Sequence, residues 1–144
     1  MNELLGILEE ERLMMSELVS SATEQQSALI LLKSEELERI AGHQSELLAA
    51  LQQKEITRWK YISGELGISA KEASQVALST LYPFLSMNNY EEFRTLQGEL
   101  STLLSEWQSL NSTNRVLAFR ARTSVKEILS FFSESDTRVC NVVV

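Results

Sequence analysis

One apolar stripe in the C-terminal third constrains the fold of this chain more than any other feature. Its members recur at alternating steps of three and four residues, which is the spacing along one face of a long α-helix. The stripe comprises Phe93, Leu96, Leu100, Leu103, Trp107, Leu110, Asn114, Leu117, Ala121, Ser124, Ile128 and Phe131. A second row beside it (Leu104, Asn111, Ala118, Val125 and Phe132) makes the stripe wider than a two-stranded coiled coil needs. The pattern predicts a helix that packs in a bundle, binds a partner, or does both.

The remainder of the chain also favours helices. There is one proline, Pro83, and apart from the terminal VCNVVV no stretch shows the period-two alternation of a strand. A second heptad stripe runs from Leu4 to Ile62, with a slip in phase around Lys33 and Ser34. We interpret the slip as a stutter within one continuous helix, and a break at Ser34, which could cap a new helix, is the alternative.

Short motifs mark the boundaries between the predicted helices. Gly67 suits the left-handed position that follows a helix, and Ile68 supplies the hydrophobic contact that often accompanies it. Ser69–Glu72 has the form of a capping box, and Asn89–Glu92 repeats that form before the last helix. Pro83 restricts the residue before it and so should end the middle helix.

The predicted fold class is therefore all-α. We expect an elongated antiparallel helical bundle, or coiled-coil hairpin, in which a long last helix returns along a long first helix. The predicted helices cover residues of about 2–66, 69–81 and 89–132. Residues 1–135 should form a single domain, and residues 136–144 should form a flexible tail.

Charge argues against nucleic acid as a partner. The chain has 13 Lys and Arg against 20 Asp and Glu, a formal charge of −7, whereas binding to a phosphate backbone needs a positive surface. Four bases nevertheless cluster in the last helix, namely Arg115, Arg120, Arg122 and Lys126. They could meet an acidic partner segment, or they could pair with the acid-rich first helix, which needs no ligand and is the interpretation we favour.

The sequence offers little for catalysis. His43 is the only histidine and has no ligand at metal-binding spacing, and no glycine-rich loop could hold a phosphate. Cys140 is the only cysteine, the longest apolar run is far shorter than a membrane-spanning helix, and the N-terminus lacks the features of a signal peptide. We therefore expect a cytoplasmic, non-enzymatic protein without metal, cofactor or membrane insertion.

Two stretches resemble the FlgN-type flagellar export chaperones. They are SEELERIAGHQSELLAALQQKEITRWKYISGELGIS, with L-x-x-I and S-x-L-L-x-x-L spacing, and LNSTNRVLAFRARTSVKEIL, with L-N-x-x-N-x-x-L spacing. The likeness extends from about Leu4 to Phe132. One departure is Gln44, where many relatives have lysine and where we expect solvent or a side contact.

The resemblance implies a chaperone that binds the C-terminal segments of the hook–filament junction proteins FlgK and FlgL and prevents their premature assembly. A component of the export apparatus could receive the complex, and the free protein could be a homodimer. The sequence leaves both points open, together with the preferred client. The alternative is a coiled-coil scaffold or adaptor without a role in secretion.

The two asparagines of the motif can be interpreted in two ways. Asn114 lies in the apolar stripe, where an amide costs stability but fixes helix register because it needs a matching partner. Alternatively, Asn111 and Asn114 could hydrogen-bond to the backbone of a docked client. The predicted partner-binding residues are Leu110, Asn111, Asn114, Leu117, Ala118, Ala121, Val125, Ile128, Leu129 and Phe132.

Overall fold

Helices account for all the regular structure of residues 2–143, which confirms the predicted all-α class. The structure, a computed structural model, describes the backbone of these residues and the side chains of residues 2–131. The elements in chain order are α1 (Asn2–Ile30), α2 (Ser34–Leu66), α3 (Ala70–Ser74), a short 3-10 helix (Leu78–Phe84) and α4 (Met87–Val143).

The predicted continuous first helix is wrong, because the chain reverses between α1 and α2. Leu32 adopts a left-handed backbone conformation with φ of 52°. The amide of Lys33 then donates to the carbonyl of Ala28 at 3.0 Å, a bond typical of the turn that closes a helix. Glycine usually occupies that position, and a leucine there gave the sequence no sign of a break. The alternative was right about the place, since α2 begins at Ser34, although the N-cap residue is Lys33 and its side chain makes no capping hydrogen bond.

The reversal turns α1 and α2 into an antiparallel hairpin. Near the start of α1, Arg58 Nη1 donates to Glu11 Oε2 at 2.5 Å. Near its end, Gln44 Nε2 donates to Gln25 Oε1 at 3.2 Å. Late residues of α2 thus lie beside early residues of α1, as in a hairpin whose tip is the turn at residues 31–33.

The last helix runs parallel to α1, which corrects the predicted antiparallel return. Asn89 Nδ2 donates to Asn2 Oδ1 at 3.2 Å, and Asn114 Nδ2 donates to the carbonyl of Ala22 at 2.9 Å. Because the hairpin has already reversed the chain once, α4 is antiparallel to α2 instead. Helix α1 lies in the middle and packs against both neighbours, whereas within residues 2–143 no Cα atom of α2 lies within 8 Å of one in α4.

Two of the predicted boundary signals between α2 and α4 are confirmed. Gly67 has φ of 65° and its amide donates to the carbonyl of Ser63, as predicted for a helix end. Ser69 Oγ accepts from the amide of Glu72 at 3.1 Å, which confirms the cap of the middle helix.

The predicted lengths of the last two helices need correction. Helix α3 ends at Ser74, not near residue 81, and Pro83 lies in the separate 3-10 helix. Helix α4 begins at Met87, so Asn89 lies in its first turn, where its side chain contacts Asn2. It also continues past residue 132. The single domain over residues 1–135 and the flexible tail over 136–144 stay predictions.

The core is concentrated at the end of the bundle where α1 begins, α2 ends and α4 begins. One cluster there contains Leu4, Leu5, Leu8, Ile62, Ala73, Leu81, Phe93 and Leu96. A second cluster of Met15, Leu18 and Leu47 follows along α1 and packs against half-buried side chains that include Trp107 of α4. Burial then decreases along α4, so that Asn114 is its last buried residue among those described.

Candidate partner-binding surface

Helix α4 extends beyond the helix that covers its apolar stripe. Asn114 lies beside Ala22, and α1 ends eight residues later at Ile30. Both helices rise about 1.5 Å per residue, so the end of α1 falls near Arg122 of α4. We call residues 115–130 of α4 the distal segment, and none of its residues is fully buried.

The distal segment exposes large apolar side chains on the face that packs against α1 earlier in the helix. Val125 is 48% exposed, Ile128 is 54% exposed and Leu129 is 61% exposed. Residues spaced by three, four and seven share one helix face, so these side chains continue the stripe past the end of α1. Contiguous exposed apolar surfaces are common at sites of interaction with other molecules, so this part of the stripe is a candidate site.

The predicted partner-binding residues fall into two groups on that stripe. The first group lies beside α1 and is half-buried or buried, and it comprises Leu110, Asn111, Asn114, Leu117 and Ala121. The second group is exposed to solvent and comprises Ala118, Val125, Ile128 and Leu129. The side chain of Phe132 lies outside the described residues. The structure therefore offers the second group for a new contact without rearrangement of the bundle.

Asn114 belongs to a polar layer that joins three helices. Its Nδ2 donates to the carbonyl of Ala22 at 2.9 Å and to Gln25 Oε1 at 3.2 Å. Gln25 Oε1 also accepts from Gln44 Nε2, which brings α2 into the layer. The Oδ1 atom of Asn114 is buried without a hydrogen-bond partner. This geometry supports the register interpretation of Asn114, and a part in client binding stays a prediction.

The structure adds apolar residues that the stripe did not include. Val116 and Phe119 are 50% and 70% exposed and lie on the opposite face of α4 from Asn114 and Leu117. Their apolar character at positions expected to be polar was a signal that could have identified them. A separate group at the hairpin tip, Ile30, Leu31 and Leu32, is also exposed. It was missed because the tip itself was not predicted.

The basic cluster does not pair with α1. Arg115, Arg120, Arg122 and Lys126 are exposed, and none forms an ion pair or hydrogen bond within the part of the chain that the structure describes. The interpretation that these bases neutralise the acid-rich first helix is therefore wrong.

A cleft of ≈ 340 Å³ lies between α2 and α4, with α1 as its floor. Glu11 lines this cleft and is buried, and its Oε2 accepts from Arg58 Nη1 at 2.5 Å. Burial raises the pKa of Glu11 to about 7, and the charge of Arg58 opposes that rise. The pair joins α1 to α2 and is a structural contact.

Other kinds of site have no support in the described residues. No group of three or more His, Cys, Asp or Glu side chains could hold a metal ion within residues 2–131. Among the helices described, none is both long and apolar enough to cross a membrane.

Taken together, the packing of α1 against α2 and of α4 against α1 defines a class, the all-α helical bundles. Within that class the chain belongs to the FlgN family. The family model, described as FlgN protein, matches residues 1–141. A comparison with curated proteins found no significant match, and neither did one with solved structures.

Membership in the family establishes the general role. FlgN proteins are flagellar export chaperones that bind hook-associated proteins, and the family is not an enzyme family. The match covers α4 almost to its end, so the distal segment is part of the family domain and not an addition to it.

Proposed function

We propose that this chain is a cytoplasmic chaperone of flagellar type III export that binds the C-terminal segments of FlgK and FlgL. The proposal rests on the family, which binds hook-associated proteins, and on one structural observation. That observation is the continuation of the α4 stripe beyond Ile30, where α1 no longer covers it.

The mechanism is helix addition. A client helix takes the position beside α4 that α1 leaves at Ile30, and it buries Val125, Ile128 and Leu129 in its own apolar face. These side chains are about half exposed in the free protein. Burying the remaining area contributes roughly 1 kcal/mol for each of them. The gain is modest for one side chain and sufficient for reversible binding when several act together.

Reversible burial explains how such a contact prevents premature assembly. A C-terminal segment with an exposed apolar face would associate with other subunits or aggregate. While that face is packed against α4, it cannot pair with another subunit. The chaperone needs no bound nucleotide for this role, because dissociation requires only that a later partner compete for the same face.

The proposal is tested by mixing the purified chain with full-length FlgK or FlgL. We expect a stable complex on size-exclusion chromatography and slower self-association of the client by light scattering. A truncated client that lacks its C-terminal segment should elute separately from the chaperone. If neither full-length client associates with the chain, the coiled-coil scaffold becomes the better account.

A further inference from the structure

The charge of the distal segment is opposite to that of the rest of the protein. Residues 115–130 have four bases and one acid, Glu127, whereas the remaining residues have nine bases and 19 acids. A basic segment on an acidic protein has no role in solubility, because the acidic surface already supplies a net charge far from zero.

The acidic residues of α1 do not neutralise this charge. Those of them that form ion pairs take their partners from α1 or α2, and the acid that pairs with Arg12 across to α4 is Glu99. The pairs with α1 and α2 are Glu9 with Arg12, Glu10 with Lys54, Glu11 with Arg58 and Glu24 with Arg39. The bases of the distal segment are left exposed and unpaired within the described residues.

Three of these bases lie along one edge of the apolar stripe. Successive residues of an α-helix are separated by about 100°, so Arg115, Arg122 and Lys126, at steps of seven and four, lie above one another on that edge. Arg120 lies on the other edge, where Glu127 follows it seven residues later. Arg122 and Lys126 are the bases at and beyond the end of α1, and a stripe with cations along one edge is complementary to a stripe with carboxylates along the facing edge.

We infer that the occupant of the distal segment is an acidic amphipathic helix, with glutamate or aspartate along the edge of its apolar face that meets Arg122 and Lys126. The inference rests on the proposed function and specifies the chemistry of the client segment. A second copy of the chain is a poorer occupant, since pairing two distal segments would place Arg122 and Lys126 near the same cations of the partner.

The apolar stripe and the charges contribute differently. Burial of Val125, Ile128 and Leu129 provides most of the affinity, whereas exposed charge pairs are individually weak and mainly select the partner and its orientation. We therefore expect reversal of two charges to change affinity by about tenfold, a smaller effect than the loss of an apolar side chain from the centre of the stripe.

Two synthetic helical peptides with the same apolar heptad pattern test the inference. One has glutamate at every flanking position and the other has lysine. The wild-type protein should bind the glutamate peptide at least about tenfold more tightly in calorimetric titration. The double variant Arg122→Glu/Lys126→Glu should reverse this order.

A matched control has the same change in net charge at the other end of the bundle. Lys71 and Arg94 are exposed and lie outside the distal segment, so Lys71→Glu/Arg94→Glu should keep the preference for the glutamate peptide. If this control lost the preference for the glutamate peptide as fully as the distal variant does, net charge and not the distal segment would select the partner. That result would overturn the inference.

Other results would also overturn it. Equal affinity for the two peptides would do so, as would tighter binding to anionic vesicles than to the glutamate peptide, or a dimer in sedimentation experiments that the glutamate peptide does not dissociate. Failure of the proposed function is distinct, because it would appear as no binding of FlgK or FlgL. If Ile128→Asp weakens both peptides equally and they bind equally well, the apolar site stands and only its charge selectivity is refuted.

Discussion

The side-chain amide of Asn114 donates to the carbonyl oxygen of Ala22 at 2.9 Å, although the two residues are 92 positions apart. This contact, with Gln25 beside it, helps to hold α4 in position along α1, together with the apolar clusters that the two helices share. The position of α4 along α1 determines which apolar residues of α4 extend past Ile30. The asparagine therefore favours one register of the bundle, which the apolar contacts also support.

Replacing Asn114 by leucine tests whether the asparagine contributes only to helix register or also to client binding. We expect Asn114→Leu to raise the free energy of unfolding by about 1 kcal/mol, because the variant removes a buried Oδ1 that has no hydrogen-bond partner. For a chain of this size, that corresponds to roughly 3 °C in melting temperature. Affinity for FlgK and FlgL segments should be unchanged. Weaker binding by a more stable variant would instead show that the asparagine orients the client.

The turn between α1 and α2 provides a second prediction. Leu32 is 56% exposed and has φ of 52°, a conformation that costs a residue with a Cβ about 1 kcal/mol. Leu32→Gly should therefore raise the melting temperature slightly, even after the greater entropy of glycine in the unfolded chain. Leu31 is exposed to a similar degree but does not have a positive φ, so Leu31→Gly should lower it. Thermal melts in which both variants shift in the same direction would contradict this account of the turn.

The sequence predicted elements best where local chemistry determines them. The end of α2 at Gly67 and the cap at Ser69 followed from residue types whose preferences are strong. The reversal at Leu32 could not be predicted in this way, because an exposed leucine occupies the left-handed position where glycine is usual. The direction of α4 relative to α1 depends on that turn. Because the turn was not predicted, the predicted antiparallel packing of α4 on α1 was also wrong.

The polar positions within the apolar stripes show a similar limit. Glu11 and Gln25 interrupt the pattern of the first helix, and both are visible in the sequence as exceptions. Their partners, Arg58 and Gln44, are 47 and 19 residues away and can be assigned only when the direction of α2 is known. The pattern indicates that a buried polar group needs a partner. It does not indicate which residue supplies one.

Glu11 gives a prediction about pH. Burial raises its pKa from the ordinary 4.5 to about 7, so between these values the folded protein binds more protons at this group than the unfolded chain does. The contribution of Glu11 to the free energy of unfolding therefore falls as the pH rises through this window.

Glu11→Gln lacks this titration and serves as the reference. In urea unfolding, the stability of the wild type relative to Glu11→Gln should fall between about pH 5 and about pH 8, by at most roughly 3 kcal/mol. Comparison with the variant cancels the titration of the other carboxylates. A difference that is constant with pH, or that favours the wild type at high pH, would show that the ion pair with Arg58 outweighs the cost of burial.

The most direct test of the central claim compares charges placed at two positions of the α4 stripe. Ile128 is 54% exposed beyond the end of α1, whereas Leu117 is half-buried beside it. Ile128→Asp should keep the wild-type melting temperature, and Leu117→Asp should lower it because the new carboxylate must be buried against α1. Only the first variant can therefore report on binding in an intact bundle.

The decisive measurement is calorimetric titration of Ile128→Asp with the C-terminal segments of FlgK and FlgL. The account predicts that affinity falls by about thirtyfold or more, the effect of roughly 2 kcal/mol that is typical of a central interface residue, while the melting temperature stays unchanged. Wild-type affinity in a folded Ile128→Asp variant would contradict the account, because the client would then bind elsewhere than on the distal segment.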